Sequence, residues 1–109
     1  MASTFPESEA DFSQWFDDLR RLTGWRGCHF RPALDRRGRW QTALQGDPGF
    51  LDWVLVRGTR VIFSELKRED GKVTRAQQEW LDDLRKCTGV ESYLWRPSDR
   101  SQIEKVLAR

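Results

Sequence analysis

The chain lacks several features that would indicate its function directly. It has two cysteines, Cys28 and Cys87, and a single histidine, His29. Their spacing is not that of a CxxC pair or of a Cys/His zinc site, which argues against structural zinc, and we interpret both thiols as small buried hydrophobic groups. The sequence contains neither a signal peptide nor a long apolar run. It therefore predicts a soluble cytoplasmic protein with reduced thiols and no contact with a membrane.

A strong charge of one sign is also absent. Nineteen lysines and arginines face 17 aspartates and glutamates, which leaves a net charge of +2. Any basic surface for nucleic acid must therefore be local. Six tryptophans and six phenylalanines can supply the apolar area that a short chain needs for its core. We expect a single domain over residues 1–109, with 1–6 as a flexible leader.

The stretch 52–67 organises the rest of the chain. Two apolar, β-branched runs, 53–56 and 61–63, flank Gly58-Thr59. A two-residue connection that contains glycine between such runs predicts a β-hairpin.

The register of this hairpin brings charged residues together. If Arg57 and Arg60 close the turn, Asp52 lies directly opposite Glu65, and alternation places both on the face that also contains Lys67. Like charges in this position cost about 0.2–1 kcal/mol, whereas a bound divalent cation would reverse the sign of that interaction. Two carboxylates with backbone carbonyls and water suit Mg²⁺. The alternative is a frayed hairpin end where Lys67 neutralises two solvated acids.

The same spacing resembles a known signature. Asp52, a short strand, a turn and Glu-Leu-Lys at 65–67 are similar to the PD-(D/E)xK nuclease motif. The surrounding segments resemble the VRR-NUC family, the virus-type replication and repair branch of that superfamily. They are GDPGFLD before the first strand of the hairpin, TRAQQEWL at the helix that follows the hairpin, and VESYLWRPSD at the last strand and final turn. The resemblance extends over about 7–106 and departs at Leu51, where the family usually has a proline.

The resemblance implies a fold and an activity. The fold is α/β, a restriction-endonuclease-like αβββαβ core with a mixed sheet flanked by helices and a short C-terminal helix. The activity is that of a Mg²⁺- or Mn²⁺-dependent endodeoxyribonuclease, structure-selective on branched DNA such as a Holliday junction or a flap, in replication, recombination or repair. A homodimer in a bacterial or phage-infected cell is also implied, and we expect no organic cofactor. The alternatives are a catalytically inactive DNA-junction-binding module on the same fold, or a protein-interaction domain with exposed tryptophans.

The site that we expect follows from this signature. Asp52, Glu65 and the backbone carbonyl of Leu66 would hold Mg²⁺ or Mn²⁺, which would activate water and neutralise charge at phosphorus. Lys67 would orient the attacking water or stabilise developing negative charge.

Three residues have both a structural and a site interpretation. Gln77 completes a capping box with Thr74, and a glutamine here lies beside the metal in related nucleases as part of the catalytic set. Glu9 is favourable near a helix N-terminus, while an early-helix glutamate of the resembled family is a metal ligand, a place that Glu7 or Asp11 could also take. We interpret His29 as a packing or hydrogen-bonding residue, with DNA contact and then a general-base role as the alternatives.

Basic and aromatic residues outside the hairpin are candidates for DNA contact. The glycine-punctuated segment 34–50 has the length of a functional or mobile loop. Arginine pairs with phosphate, tryptophan stacks on unpaired bases, and the N-terminus of a helix binds phosphate. The alternative for the loop is a solvated hairpin with Trp40 folded back onto the body. The predicted DNA-binding residues are Arg36, Arg37, Arg39, Trp40, Lys72 and Arg75.

The remaining patterns predict the element order. A first helix begins after Ser8 and ends at Thr23-Gly24, and 25–33 contains the first strand. A second helix begins at Thr74, a last strand over 90–95 pairs in parallel with the hairpin, and a terminal helix follows. The apolar stripes of the first two helices are Phe12, Trp15, Phe16, Leu19 and Leu22, then Trp80, Leu81, Leu84 and Cys87.

Overall fold

The structure is a computed structural model that describes residues 7–31, 33–34, 36–41 and 45–109. The helices are α1 (Glu9–Leu22), α2 (Arg75–Arg85) and α3 (Arg100–Ala108). The strands are β1 (Arg26–His29), β2 (Ala33–Leu34), β3 (Trp40–Gln41), β4 (Trp53–Arg57), β5 (Arg60–Leu66) and β6 (Val90–Trp95). A 3₁₀ turn, Pro97–Asp99, precedes α3. The predicted leader and Pro32 lie outside the described residues.

The β4–β5 hairpin has the register that the turn predicts. Arg57 pairs with Arg60, and Trp53 pairs with Ser64. Gly58 has a φ of +60°, a conformation that glycine adopts without the steric clash of a Cβ. The tight turn therefore fixes which residues meet at the far end of the hairpin.

Four strands form one mixed sheet in the order β1-β4-β5-β6, while β2 and β3 pair with each other. β6 runs parallel to β5 and β1 runs antiparallel to β4, as expected for β6 from the intervening helix. The chain is therefore a mixed α/β protein with a four-stranded sheet flanked by helices. None of the helices described has the length and apolar character that a membrane span requires.

One face of this sheet packs against α1 and α3 and forms the core. Alternation along β4 and β5 sends Trp53, Leu55 and Ile62 to this face, and all three are buried. Phe16 of α1 contacts Trp53 edge to face at 5.2 Å between ring centroids. The remaining buried residues of this cluster are Phe12, Trp25, Leu66, Trp95, Ile103, Val106 and Leu107.

Three expectations about burial are wrong. Leu22 is 84% exposed because it lies at the edge of the apolar stripe in the last turn of α1. Cys28 is exposed because it pairs with Val54 on the face of the edge strand β1 that α1 and α3 do not cover. Cys87 is exposed because α2 ends at Arg85, before the stripe reaches it.

Candidate metal centre and cleft

The two predicted acids lie side by side at the open end of the hairpin. The Asp52 backbone N–H donates to Glu65 Oε2 at 3.1 Å. The Leu66 backbone N–H donates to Asp52 Oδ1 at 3.1 Å. Beyond the last paired residues, Trp53 and Ser64, side-chain oxygens accept the hydrogen bonds between the two strands. Each carboxylate is therefore held by a backbone N–H of the opposite strand.

Two donors converge on the other oxygen of Glu65. Gln77 Nε2 donates to Glu65 Oε1 at 2.9 Å, and Lys67 Nζ lies 3.5 Å from the same atom. Gln77 also forms the expected capping box, since its Oε1 accepts from the Thr74 backbone N–H at 3.0 Å and its own N–H donates to Thr74 Oγ1 at 3.1 Å. One side chain therefore both caps α2 and positions Glu65.

Burial and like charge act together on Glu65. Its side chain is 5% exposed, so the ionised carboxylate loses most of its hydration. Desolvation, the largest cause, and the charge of Asp52 together raise the pKa of Glu65 to about 8, although the Lys67 ammonium opposes the rise. A cation between the two acids would offset the repulsion from Asp52.

The oxygen donors at this point fit a hard cation. The N–H and C=O of a strand residue project toward the same neighbouring strand, so the Leu66 carbonyl faces the side where its N–H meets Asp52. Asp52, Glu65 and this carbonyl could offer three oxygens to Mg²⁺, which would keep water at its remaining positions. No group of three or more His, Cys, Asp or Glu side chains gathers around a point within the described ranges. Glu9 therefore does not complete a preformed carboxylate triad.

A cleft of about 730 Å³ opens beside these side chains. The predicted site residues that line it are Asp52, Glu65, Lys67, Gln77 and Glu9. Glu9 is exposed on the first turn of α1, which Ser8 caps. The fold thus brings the first helix, the hairpin end and the start of α2 to one concave surface.

His29 lies closer to the acids than its sequence context indicated. Its ring stacks on Trp53 with 4.6 Å between ring centroids and a 4° interplanar angle. His29 Nε2 lies 3.6 Å from Asp52 Oδ2. The β1–β4 register, which pairs His29 with Trp53, produces this contact. A long connection separates these strands, so no local sequence signal reveals it.

The predicted DNA-binding residues whose side chains the structure describes lie outside the lining of this cleft. Arg36, Arg37 and Arg39 are exposed on the turn between β2 and β3, whose pairing forms a short two-stranded hairpin at the start of the predicted loop. The Trp40 side chain lies outside the described part of the structure. Lys72 and Arg75 are exposed at the end of α2 that contacts Glu65, and Arg75 pairs with Glu79 at 3.2 Å between Nε and Oε1.

Comparison with known proteins adds no family assignment to this geometry. The resemblance of Asp52, Glu65, Lys67 and the segments around them to VRR-NUC nucleases stays a prediction from the sequence. No protein-family model, curated protein or solved structure matches the chain.

Proposed function

We propose that the chain is a Mg²⁺- or Mn²⁺-dependent endonuclease of the PD-(D/E)xK type, similar to the VRR-NUC family, that hydrolyses phosphodiester bonds in branched DNA. The observation that carries this proposal is the end of the hairpin. There Asp52 and Glu65 are each fixed by a 3.1 Å bond from the opposite strand, and Lys67 and Gln77 meet Glu65 Oε1.

The proposal includes a restriction-endonuclease-like core. It is supported by the order α1, β1, β4, β5, α2, β6 in the main sheet and its helices. The parallel pairing of β5 with β6 across α2 also supports it, because this arrangement brings the start of α2 to the acids. We further propose a homodimer in the cytoplasm of a bacterial or phage-infected cell. One chain has one such hairpin end, so cutting both arms of a junction requires two copies.

Glu65, Lys67 and Gln77 have different roles in the proposed reaction. Asp52, Glu65 and the Leu66 carbonyl would hold the ion, which would make a water more acidic and offset negative charge on the phosphate. Glu65, whose pKa is about 8, would release its proton on binding a cation. Lys67, 3.5 Å from Glu65 Oε1, holds the attacking water and stabilises charge that develops on the phosphate. Gln77 keeps the Glu65 carboxylate in one orientation.

A cleavage assay on defined DNA structures tests this function. The purified protein is incubated with forked, flapped, four-way and linear duplex DNA in Mg²⁺, Mn²⁺ or a chelator. We expect metal-dependent cleavage of branched DNA that is lost in Asp52→Ala. Asp70→Ala is the matched control, because the Asp70 carboxylate is exposed in a turn and pairs with Arg68 at 2.8 Å between Oδ1 and Nε.

The same panel separates the other classes of protein. A shifted band without cleavage would identify an inactive junction-binding module. No binding to any of the four structures would leave the protein-interaction domain. Full activity in Asp52→Ala, with a circular dichroism spectrum like that of the wild type, would remove the proposed mechanism.

A further inference from the structure

Two phenylalanines with exposed rings line the same cleft as the acids. Phe30 is 46% exposed and Phe50 is 37% exposed. Their ring centroids are 5.9 Å apart at an interplanar angle of 63°, and both residues face the cleft together with Asp52 and Glu65. Adjacent exposed aromatic rings beside a charged site leave apolar area in water, which is typical of a binding surface.

The two phenylalanines are held in place by different contacts. The Phe30 backbone N–H donates to the Asp52 carbonyl at 2.7 Å. Phe50 contacts Phe63 and Trp80 edge to face, with centroid separations of 5.8 Å and 5.0 Å. The surface is therefore already formed, and a ligand that binds it does not have to order it first.

The cleft that contains these rings is also lined by an arginine. Arg31 follows Phe30 in the chain, is exposed, and lines the same cleft. Rings that stack on bases and a cation that meets the backbone are the two components of surfaces that bind single-stranded nucleic acid. A base within a duplex is covered by its neighbours on both faces, so only an unpaired base presents a face to a ring.

We propose that Phe30 and Phe50 form a stacking subsite for an unpaired DNA base next to the scissile phosphate, with Arg31 on the adjoining phosphate. This inference rests on the proposed nuclease function and narrows its substrate. The preferred DNA carries a single-stranded nucleotide at the point of cleavage, and continuous duplex is a poor substrate.

DNA binding measured in the presence of a chelator, which prevents metal-dependent cleavage, tests the stacking subsite separately from catalysis. Fluorescence anisotropy compares a single-stranded oligonucleotide, a fork and a linear duplex. We expect Phe30→Leu, which removes the ring but keeps an apolar side chain, to weaken binding of the single strand by about five- to a hundredfold. Phe30→Tyr, which keeps the ring, restores it, and duplex affinity is unchanged in both. Phe30 is the cleaner position to vary because Phe50 also packs against Phe63 and Trp80.

Leu22→Ala is the matched control for loss of an exposed apolar side chain, since Leu22 is 84% exposed and is not part of the cleft lining. It should bind DNA as the wild type does. A 2-aminopurine base placed at the fork reports stacking directly. Its fluorescence should change on binding to the wild type and to Phe30→Tyr, but not on binding to Phe30→Leu.

The outcomes distinguish this inference from the nuclease proposal. Equal single-strand affinity of wild type and Phe30→Leu, with equal melting temperatures, would overturn the subsite even if the wild type cuts branched DNA. Ring-dependent binding of single strands without any cleavage would keep the subsite and remove the nuclease. Self-association that depends on Phe30, with no effect on DNA, would assign the rings to a contact between copies and overturn the subsite.

Discussion

The side-chain amide of Gln77 joins the first turn of α2 to the carboxylate of Glu65. Nε2 donates to Glu65 Oε1 at 2.9 Å, and Oε1 accepts from the Thr74 backbone N–H at 3.0 Å. Gln77 thus caps α2, as the local sequence predicts, and also contacts Glu65. The second contact depends on the packing of α2 against the hairpin.

Two substitutions separate these roles. Thr74→Ala removes the cap, which should lower the free energy of unfolding by about 0.5–2 kcal/mol while the Gln77–Glu65 contact remains. Gln77→Ala should lower stability similarly and also weaken Mn²⁺ binding, because Glu65 loses its orienting partner. Urea unfolding and Mn²⁺ titration of both variants measure the two effects. Equal Mn²⁺ affinities in the two variants would show that Gln77 is a cap alone.

The raised pKa of Glu65 makes folding stability depend on pH. Its pKa is about 8 in the folded chain against an ordinary value of 4.5, so between these values the folded state binds the extra proton. The associated stability is fully present below about pH 4.5 and is lost as the pH rises through about 8. Glu65→Gln, which does not titrate, should show a smaller fall. Urea unfolding between these pH values, without divalent metal, measures the free energy of unfolding of both proteins. An identical dependence on pH in wild type and Glu65→Gln would contradict the raised pKa of Glu65.

Lys67 should set the pH at which metal binds. Its ammonium lowers the pKa of Glu65, so Lys67→Met should raise that pKa further and move metal binding to higher pH. Lys67→Arg, which keeps the positive charge, should stay near the wild type. The rise in melting temperature caused by Mn²⁺, recorded as a function of pH, reports the shift. A profile that moves to lower pH in Lys67→Met would contradict the arrangement.

Gly49 should be a sensitive position in the turn that leads to Asp52. Its φ is +88°, and an added Cβ would lie 2.6 Å from the backbone carbon of Ala76 at the start of α2. Gly38 has a similar φ of +77°, and no atom of the described residues lies within 4 Å of the added atom. Gly38→Ala should therefore cost only the conformational penalty, about 1–2 kcal/mol, and Gly49→Ala clearly more. Thermal melts compare the pair, and equal losses would mean that this close approach does not matter.

Much of the site could be predicted from the sequence because short-range signals fix it. A two-residue turn sets the β4–β5 register, and that register brings Asp52 to Glu65. The capping box of Thr74 and Gln77 is likewise local. Strand alternation explains why Glu65 and Lys67 share a face.

The rest depends on contacts between residues far apart in the chain. The His29–Asp52 approach and the exposure of Cys28 follow from the β1–β4 register, which a long connection leaves undetermined in the sequence. The Phe30–Phe50 pair depends on the same register. A helical stripe also cannot show that Leu22 lies beyond the reach of the core.

The most direct measurement is a Mn²⁺ titration followed by the electron paramagnetic resonance signal of the free ion. We predict one ion per chain, with affinity at least about tenfold weaker in Asp52→Asn and in Glu65→Gln, and wild-type affinity in Asp70→Asn. Wild-type affinity in Asp52→Asn would show that the two carboxylates do not share an ion.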